Sequence, residues 1–296
     1  MLKQIYDYGI GKTPLFELPK IGSNRIFLKQ ESRNHLKSVK ARTAYGIIKS
    51  LEVPKDRIIV ESTSGNLGLA LDFFCREDGR RFLCLLDETV IEAKRRHLES
   101  CGVECRIVPI FDGMDGRSSR IKFAQQLMED QGYYWVNQYD NEAGVAIHRE
   151  TTGAEIYEQT GGEVTCVICA LGSGGTAVGI GEYFRSKGMK VNLVGVEPCG
   201  STIFHAQDAS YIPAGAGLRG KPGNIRKHPK AITQPFAISD AETLDKFRKL
   251  NCIYHADAGI TTGMNYAAAL KYCETAEHET IVILSADGMD MYSDYL

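Results

Sequence analysis

The chain has 296 residues, 43% of them hydrophobic and 24% charged, which is ordinary for a globular protein of about two domains. Its 35 basic residues nearly balance 37 acidic ones, and this argues against nucleic-acid or membrane-surface partners because both require a basic excess. The apolar runs are too short for a membrane span and the first residues lack a signal-peptide pattern, so we expect a cytoplasmic protein.

Short strands alternate with helical segments along most of the chain. Apolar runs predict strands at 26–29, 57–61, 82–86, 104–109, 164–170, 191–197 and 280–285. Helical periodicity predicts helices at 40–51, 66–76, 90–100, 118–130, 143–158, 175–187, 240–250 and 262–273. This alternation is typical of an α/β fold with mainly parallel sheets and helices on both faces. The glycine-, proline- and lysine-rich segment 207–230 is predicted to be a loop, either structural or functional.

Nine cysteines are scattered without regular spacing, so we expect no disulfide framework. Cys166 and Cys169 form a CxxC pattern inside an apolar strand. Because alternate residues of a strand face opposite sides, positions i and i+3 are poorly placed to share a metal or form a redox pair. Both cysteines are therefore predicted to be structural.

A glycine-rich loop joins a predicted strand to a predicted helix. Its N–H groups and two hydroxyls suit an anion at the positive end of the helix dipole. Three interpretations stay open: a monophosphate cofactor, a dinucleotide, or a structural turn. The dinucleotide interpretation rests on a G-x-G-x-x-A spacing and on Glu197 at the end of the next strand. The loop residues are Gly172, Ser173, Gly174, Gly175 and Thr176.

Two further segments carry candidate functional side chains. The run Thr63-Ser64-Gly65-Asn66 follows a strand and begins a helix, where it suits either a substrate carboxylate or helix N-capping. Lys40 lies at another predicted helix start, between an apolar and a small residue. A partly buried ammonium there would lose basicity and become nucleophilic, whereas a solvated one would have no special role.

The motifs SVKAR, TSGN, HRETTGAEI, GSGGT, VGVEP and AGITTG follow one another along nearly the whole chain. In this the sequence resembles the cysteine synthase and cystathionine β-synthase family of pyridoxal-phosphate enzymes. The resemblance implies a fold like that of the tryptophan synthase β subunit, with the cofactor between a smaller domain, 35–141, and a larger one, 1–34 plus 142–296. It also implies a homodimer that performs β-elimination and β-replacement on a serine- or cysteine-derived amino acid through an aminoacrylate.

The resemblance implies a role for each motif residue. Lys40 would form the internal aldimine and move the Cα proton, and the loop 172–176 would hold the cofactor phosphate. Asn66 would bond the cofactor 3′-hydroxyl. The residues implied to bind the substrate carboxylate are Thr63, Ser64, Gly65 and Gln138.

The sequence departs from the family pattern at several positions. Leu67 replaces a usual threonine in the carboxylate loop. Asp287 aligns with the residue that faces the pyridine nitrogen, although a small alignment shift would place Ser285 there instead. Asp257 would contact substrate or cap a helix. Arg219 would bind an extra carboxylate or phosphate on the substrate, or lie in solvent.

These departures leave alternative functions open. The Leu67 form resembles relatives that make 2,3-diaminopropionate precursors from O-phosphoserine and an amine, and other members release sulfide from cysteine. From different classes, a nicotinamide-dependent oxidoreductase would explain the G-x-G-x-x-A spacing but not Lys40. A catalytically silent binding protein would leave both Lys40 and the glycine loop unexplained.

Overall fold

The strands of this α/β protein are short and mostly buried. The computed structural model describes residues 2–63, 65–90, 92–212 and 214–296, without the side chains of residues 2, 3, 93 and 94. The strands are β1 (Leu15–Ile21), β2 (Asn24–Gln30), β3 (Ile59–Ser62), β4 (Phe82–Asp87), β5 (Cys105–Val108), β6 (Tyr134–Trp135), β7 (Cys166–Ala170), β8 (Asn192–Pro198), β9 (Gln234–Ile238) and β10 (Thr280–Ser285).

Helices separate most of these strands. They are α1 (Leu2–Asp7), α2 (Lys40–Lys49), α3 (Asn66–Glu77), α4 (Glu92–Ser100), α5 (Gly116–Gln131), α6 (Glu142–His148), α7 (Ala154–Gln159), α8 (Gly175–Ser186), α9 (Gly223–Lys227), α10 (Asp240–Cys252) and α11 (Ile260–Tyr272). Within the described ranges, no helix has the length and apolarity that crossing a membrane requires.

Two sheets organise the molecule. One has six strands in the order β1-β2-β10-β7-β8-β9, and the other has four in the order β5-β4-β3-β6. All neighbouring strands are parallel except the β1–β2 hairpin. The predicted fold class, with mainly parallel sheets, is therefore confirmed. The smaller sheet comes from one continuous stretch of chain, whereas the larger sheet gathers strands from both ends.

The interior strands of each sheet are mostly buried on both faces, as parallel sheets require. In β7, Cys166 packs into the cluster that contains α11, whereas Cys169 packs into the cluster that contains α8. The two thiols therefore lie on opposite faces, which confirms the prediction that this CxxC pattern is structural. In the smaller sheet, Cys84 packs toward α3 and its neighbour Leu85 packs toward α5.

The predicted helix at 143–158 is broken in the structure. A π-helical turn over Arg149–Gly153 separates α6 from α7. This turn packs closely on α8, because a Cβ atom added to Gly153 would lie 2.6 Å from Cβ of Tyr183. Helical periodicity does not report such a turn, since both flanking helices keep their buried faces. The predicted loop 207–230 likewise contains the short helix α9.

Candidate active site

A cavity of about 310 Å³ lies where the carboxyl ends of strands from both sheets meet. Ligands of α/β sheets bind at this position because the strands end there and the loops that follow them converge. The predicted site residues that line the cavity are Lys40, Thr63, Gly65, Asn66, Leu67, Gln138, Gly172, Ser173, Gly174, Thr176 and Asp287. Ser64 lies outside the described residues.

Lys40 is the first residue of α2 and is partly buried at the cavity wall. The preceding backbone is tied to the end of β10, since the N–H of Val39 donates to the carbonyl oxygen of Ala286 at 2.8 Å. Burial lowers the pKa of Lys40, against the opposing influence of the Cys169 thiol and the Asp287 carboxylate. A lysine with a lowered pKa is available as a neutral amine, which is the form that attacks a carbonyl group.

The glycine loop lies between β7 and α8 and has little room for side chains. A Cβ atom on Gly172 would lie 2.8 Å from the carbonyl oxygen of Gly215, and Gly174 has a left-handed φ of +81°. Only glycine adopts this backbone and this close approach without strain. The loop therefore keeps its N–H groups at the N-terminus of α8, open to an anion. Gly175 begins α8 and does not line the cavity.

Asn224 of α9 connects the glycine loop to the other sheet. Its side-chain amide donates to the carbonyl oxygen of Ser173 at 2.9 Å and to that of Gln138 at 2.8 Å. Asn224 is almost fully buried, so this pair of bonds fixes the two segments relative to each other. Sequence reasoning missed Asn224, whose only signal was its place in the long loop 207–230.

The segment around Asn66 lies across the cavity from the end of β10. Gly65, which has no side chain for capping, precedes α3, and Thr63 and Leu67 are both buried. The Asn66 amide donates to Oδ2 of Asp287 at 2.9 Å. Asn66 and Asp287, both predicted to contact the cofactor, are therefore brought together across the two sheets.

Asp287, rather than Ser285, faces the cavity. The Tyr292 hydroxyl donates to Asp287 Oδ2 at 3.1 Å, and the Asp287 backbone carbonyl accepts from the N–H of Gly259 at 3.0 Å. Ser285 is fully buried and its hydroxyl pairs with that of Thr262 at 3.0 Å. The structure thus supports the alignment that puts a carboxylate at this point of the wall.

Two predicted substrate-binding residues do not line the cavity. Arg219 has an exposed side chain that pairs with Asp208 and Asp115 on the surface. The Asp257 carboxylate accepts from the Ser32 hydroxyl at 3.2 Å and from the N–H of Met289 at 3.3 Å. Both side chains make local contacts outside the cavity wall, so a role for either in substrate binding stays a prediction.

Two arginines that sequence reasoning missed line the cavity instead. Arg117 and Arg120 lie on α5, three residues apart and therefore on neighbouring positions of one helix face. Arg120 is buried and pairs with Asp87 at 3.1 Å, while its Nη1 has no hydrogen-bond partner among the described residues. The R-x-x-R spacing was the available signal.

Glu197, the basis of the dinucleotide interpretation, is fully buried and already bonded. Its carboxylate accepts from the backbone N–H groups of Ile203, Phe204 and His205 at 2.9 to 3.0 Å. It also accepts from the Ser201 hydroxyl at 2.5 Å. Glu197 therefore caps a loop and is not free to bind a ribose.

The fold and the cavity together define an α/β enzyme that can hold a phosphate-bearing group beside a lysine. The close-packed glycine cradle and the partly buried lysine fit pyridoxal 5′-phosphate, which carries one phosphate and one aldehyde. The chain belongs to the family described as pyridoxal-phosphate dependent enzymes, whose match extends over residues 6–287.

Individual relatives confirm the predicted resemblance to the cysteine synthases. Cysteine synthase A of Salmonella typhi is 33% identical over 94% of this chain and 90% of its own length. The solved structure of an O-ureido-L-serine synthase superposes with a TM-score of 0.87 at 27% identity, covering 97% of this chain and 92% of that one. A hydrogen sulfide-producing enzyme from Fusobacterium nucleatum gives a TM-score of 0.86 at 26% identity, covering 97% of each chain.

Proposed function

We propose that this protein catalyses β-elimination and β-replacement on a serine- or cysteine-derived amino acid, in the manner of a cysteine synthase. The observation that carries the proposal is Lys40, whose pKa burial lowers, facing the same cavity as the glycine cradle. Pyridoxal phosphate, when bound, supplies an electron sink for the Cα electrons of the substrate. Membership of the family and the similarity to cysteine synthase A support this chemistry.

The family resemblance and the cavity lining together support the following roles for the wall residues. Lys40 holds the cofactor and then moves the proton at Cα, while the N–H groups of loop 172–176 hold the phosphate. Thr63, Gly65 and Gln138 bind the α-carboxylate of the substrate. Asp287 would hold the pyridine nitrogen of the bound cofactor, where a carboxylate would favour the protonated ring.

The arginine pair favours an anionic leaving group. Arg117 adds positive charge to the cavity wall, whereas the charge of buried Arg120 is paired with Asp87 on the same wall. Arg120 Nη1 has no hydrogen-bond partner among the described residues and is a donor that a ligand would satisfy. A phosphate ester presents charged oxygens to such donors, whereas an acetate ester is neutral. We infer that O-phospho-L-serine is a better substrate than O-acetyl-L-serine.

We also propose the wider setting of the enzyme. The smaller sheet supports a domain at 35–141, and the larger sheet supports a second domain of 1–34 and 142–296, with the cavity between them. Family resemblance supports a homodimer. All nine cysteines are free thiols, which is typical of the reducing cytoplasm.

The visible absorbance of the purified protein tests the cofactor proposal. We expect a yellow protein whose absorbance band is lost in Lys40→Ala. A colourless protein that takes up no added pyridoxal phosphate would refute the proposal.

Competition between substrates tests the leaving group. We expect kcat/KM with sulfide to be higher for O-phospho-L-serine than for O-acetyl-L-serine. The ratio of the two values should fall by about tenfold in Arg117→Met, which loses a charge-assisted bond, and in Arg120→Lys, which keeps the charge but loses the guanidinium Nη1 donor. Arg106→Met, at an exposed position of β5, is the matched control. An unchanged ratio in both cavity variants would contradict the inference.

The nucleophile is identified by offering sulfide, thiols, amines and water together and determining the products by mass spectrometry. Cysteine as the main product supports the cysteine synthase chemistry. A diaminopropionate derivative would instead show an amine-using enzyme, and sulfide released from added cysteine would show a lyase.

A further inference from the structure

Glu61 is a buried carboxylate directly behind the cavity wall. It is the third residue of β3, is 0% exposed, and precedes Ser62 and Thr63, both of which line the cavity. Glu61 itself does not line the cavity, so we assign it no direct contact with substrate or cofactor. A glutamate is almost never fully buried unless its oxygens are bonded, and its partners therefore show what it does.

The partners of Glu61 lie on both sides of the proposed carboxylate site. Glu61 Oε2 accepts from the backbone N–H of Gln138 at 2.9 Å. Its Oε1 accepts from the N–H of Ser62 at 2.7 Å and from the indole N–H of Trp135 at 3.3 Å. The Gln138 side chain returns a bond to the carbonyl oxygen of Ser62 at 3.2 Å. One carboxylate thus joins the end of β3 to the segment after β6.

The backbone explains why a side chain is needed there. The ladder between β3 and β6 ends with the pair Val60 and Trp135, and the N–H of Val136 still reaches the Val60 carbonyl at 3.3 Å. Asn137 then has a left-handed φ of +47°, which turns the chain away from the sheet. The next N–H, that of Gln138, is buried and takes the Glu61 carboxylate as its acceptor.

We propose that Glu61 is a positioning residue that fixes Gln138 relative to Thr63, so that the two sides of the substrate-carboxylate site keep the correct separation. The inference rests on the proposed function, which gives Thr63 and Gln138 that role. Ionised Glu61 accepts hydrogen bonds from three N–H groups. The protonated acid is a weaker acceptor, and its O–H is itself a donor that cannot bond to these N–H donors. Protonation therefore loosens the site without removing any group that touches substrate.

The surroundings of Glu61 make this protonation accessible near neutral pH. Burial raises the pKa of Glu61 to about 7, against the lowering effects of its hydrogen bonds to Gln138, Trp135 and Ser62 and of the Arg120 charge. Among the described residues, the thiol of Cys84, opposite Glu61 on β4, and the hydroxyl of Tyr139 also interact with its charge. The carboxylate is ionised above the raised pKa, so substrate binding should weaken as the pH falls through about 7.

A fluorescence titration tests the contact without relying on activity. Trp135 is the single tryptophan of the chain, and its indole donates to Glu61. In the holoenzyme we expect tryptophan emission to titrate with a midpoint near the pKa of about 7, and this transition to disappear in Glu61→Gln. A transition that persists in Glu61→Gln, or none in the unmodified protein, would overturn the inference.

Kinetics then test the positioning role. With whichever activated serine the protein turns over, KM for Glu61→Gln should rise by about tenfold with kcat within about twofold, since the lost bonds orient groups that bind the ground state. KM should rise as the pH falls from 8 to 6 in the unmodified protein but stay flat in the variant. Glu197→Gln is the matched control, because it changes a buried strand-end glutamate that does not contact this site.

The outcomes separate the two proposals. A KM for Glu61→Gln equal to that of the unmodified protein, with the same pH profile, would overturn the positioning role and leave the proposed function intact. A protein that binds neither cofactor nor amino acid would overturn the proposed function. If Glu61→Gln does not fold, the pH profile of KM in the unmodified protein decides, and a flat profile would refute the inference.

Discussion

A buried cluster of four charges adjoins the helix that begins with Lys40, and Glu155→Gln is the sharpest perturbation of it. Arg42 and Lys29 are both 0% exposed, and each donates to Glu155 at 2.7 Å. Arg42 also pairs with buried Glu31 at 2.7 Å. Two cations thus face two anions in the core, and Glu155→Gln would leave them with one.

Removing one member of a buried ion pair costs about 3–5 kcal/mol, because the partner remains buried and uncompensated. At about 2–4 °C per kcal/mol, the melting temperature should fall on the order of 10 °C. The matched control is Glu163→Gln, which removes the exposed pair with Arg25 and should cost less than about 1 kcal/mol. Urea and thermal unfolding measure both variants. An equally small loss of unfolding free energy in Glu155→Gln and Glu163→Gln would refute the argument that the buried cluster stabilises the fold.

Three further predictions concern the site and the same cluster. Gly174→Ala should lower cofactor content and cost about 1–3 kcal/mol of stability, because φ is +81° and the new Cβ would lie 2.5 Å from Cγ1 of Ile225; full content with unchanged stability would contradict this. Asp287→Asn should lower kcat by about tenfold or more with cofactor still bound, since a charged acceptor is lost, and unchanged turnover and spectrum would remove Asp287 from the site. Burial would raise the pKa of Glu31, but the Arg42 charge holds it at about 2. Ionised Glu31 therefore stabilises the folded protein fully above its unfolded pKa of about 4.5, and this stabilisation is lost as the pH falls toward 2. Urea unfolding from pH 6 to 2.5 should show that loss, and Glu31→Gln should flatten it.

The sequence predicted the interior strands and the edge strand β5, and it missed the other three edge strands, β1, β6 and β9. The two unpredicted long strands, β1 and β9, are the edges of the larger sheet, and each contains a proline, Pro19 and Pro235. Proline has no N–H to donate to a strand ladder and is confined to edge strands. It also interrupts an apolar run, so a prediction based on continuous apolar runs missed both strands. Interior strands lack this conflict because burial on both faces enforces such runs.

The residues of the candidate site also divide into those that the sequence could predict and those that it could not. Lys40 and the glycine loop were predictable because backbone constraints, a helix start and a cradle without Cβ atoms, leave a local mark in the sequence. The arginines were not, because Arg219 and Arg120 are chemically identical and only the tertiary fold decides which one faces the cavity. The sequence left Arg219 open between binding an anionic group and lying in solvent; the structure shows it exposed on a loop, whereas Arg120 is buried and lines the cavity.

The bond between Asn66 and Asp287 links the two sheets across the cavity and bears on how the site loads its cofactor. If Asn66 bonds the 3′-hydroxyl, its amide must leave Asp287 Oδ2, which the Tyr292 hydroxyl also reaches. Asp287 Oδ2 would then exchange the Asn66 amide for the pyridine nitrogen that the proposal places opposite it. Both proposed cofactor contacts would thus require the Asn66–Asp287 bond to break. The effects of Asn66→Ala and Asp287→Asn on cofactor affinity should therefore not be additive. A double-mutant cycle of Asn66→Ala and Asp287→Asn, read as cofactor affinity, measures this coupling, and strict additivity would refute it.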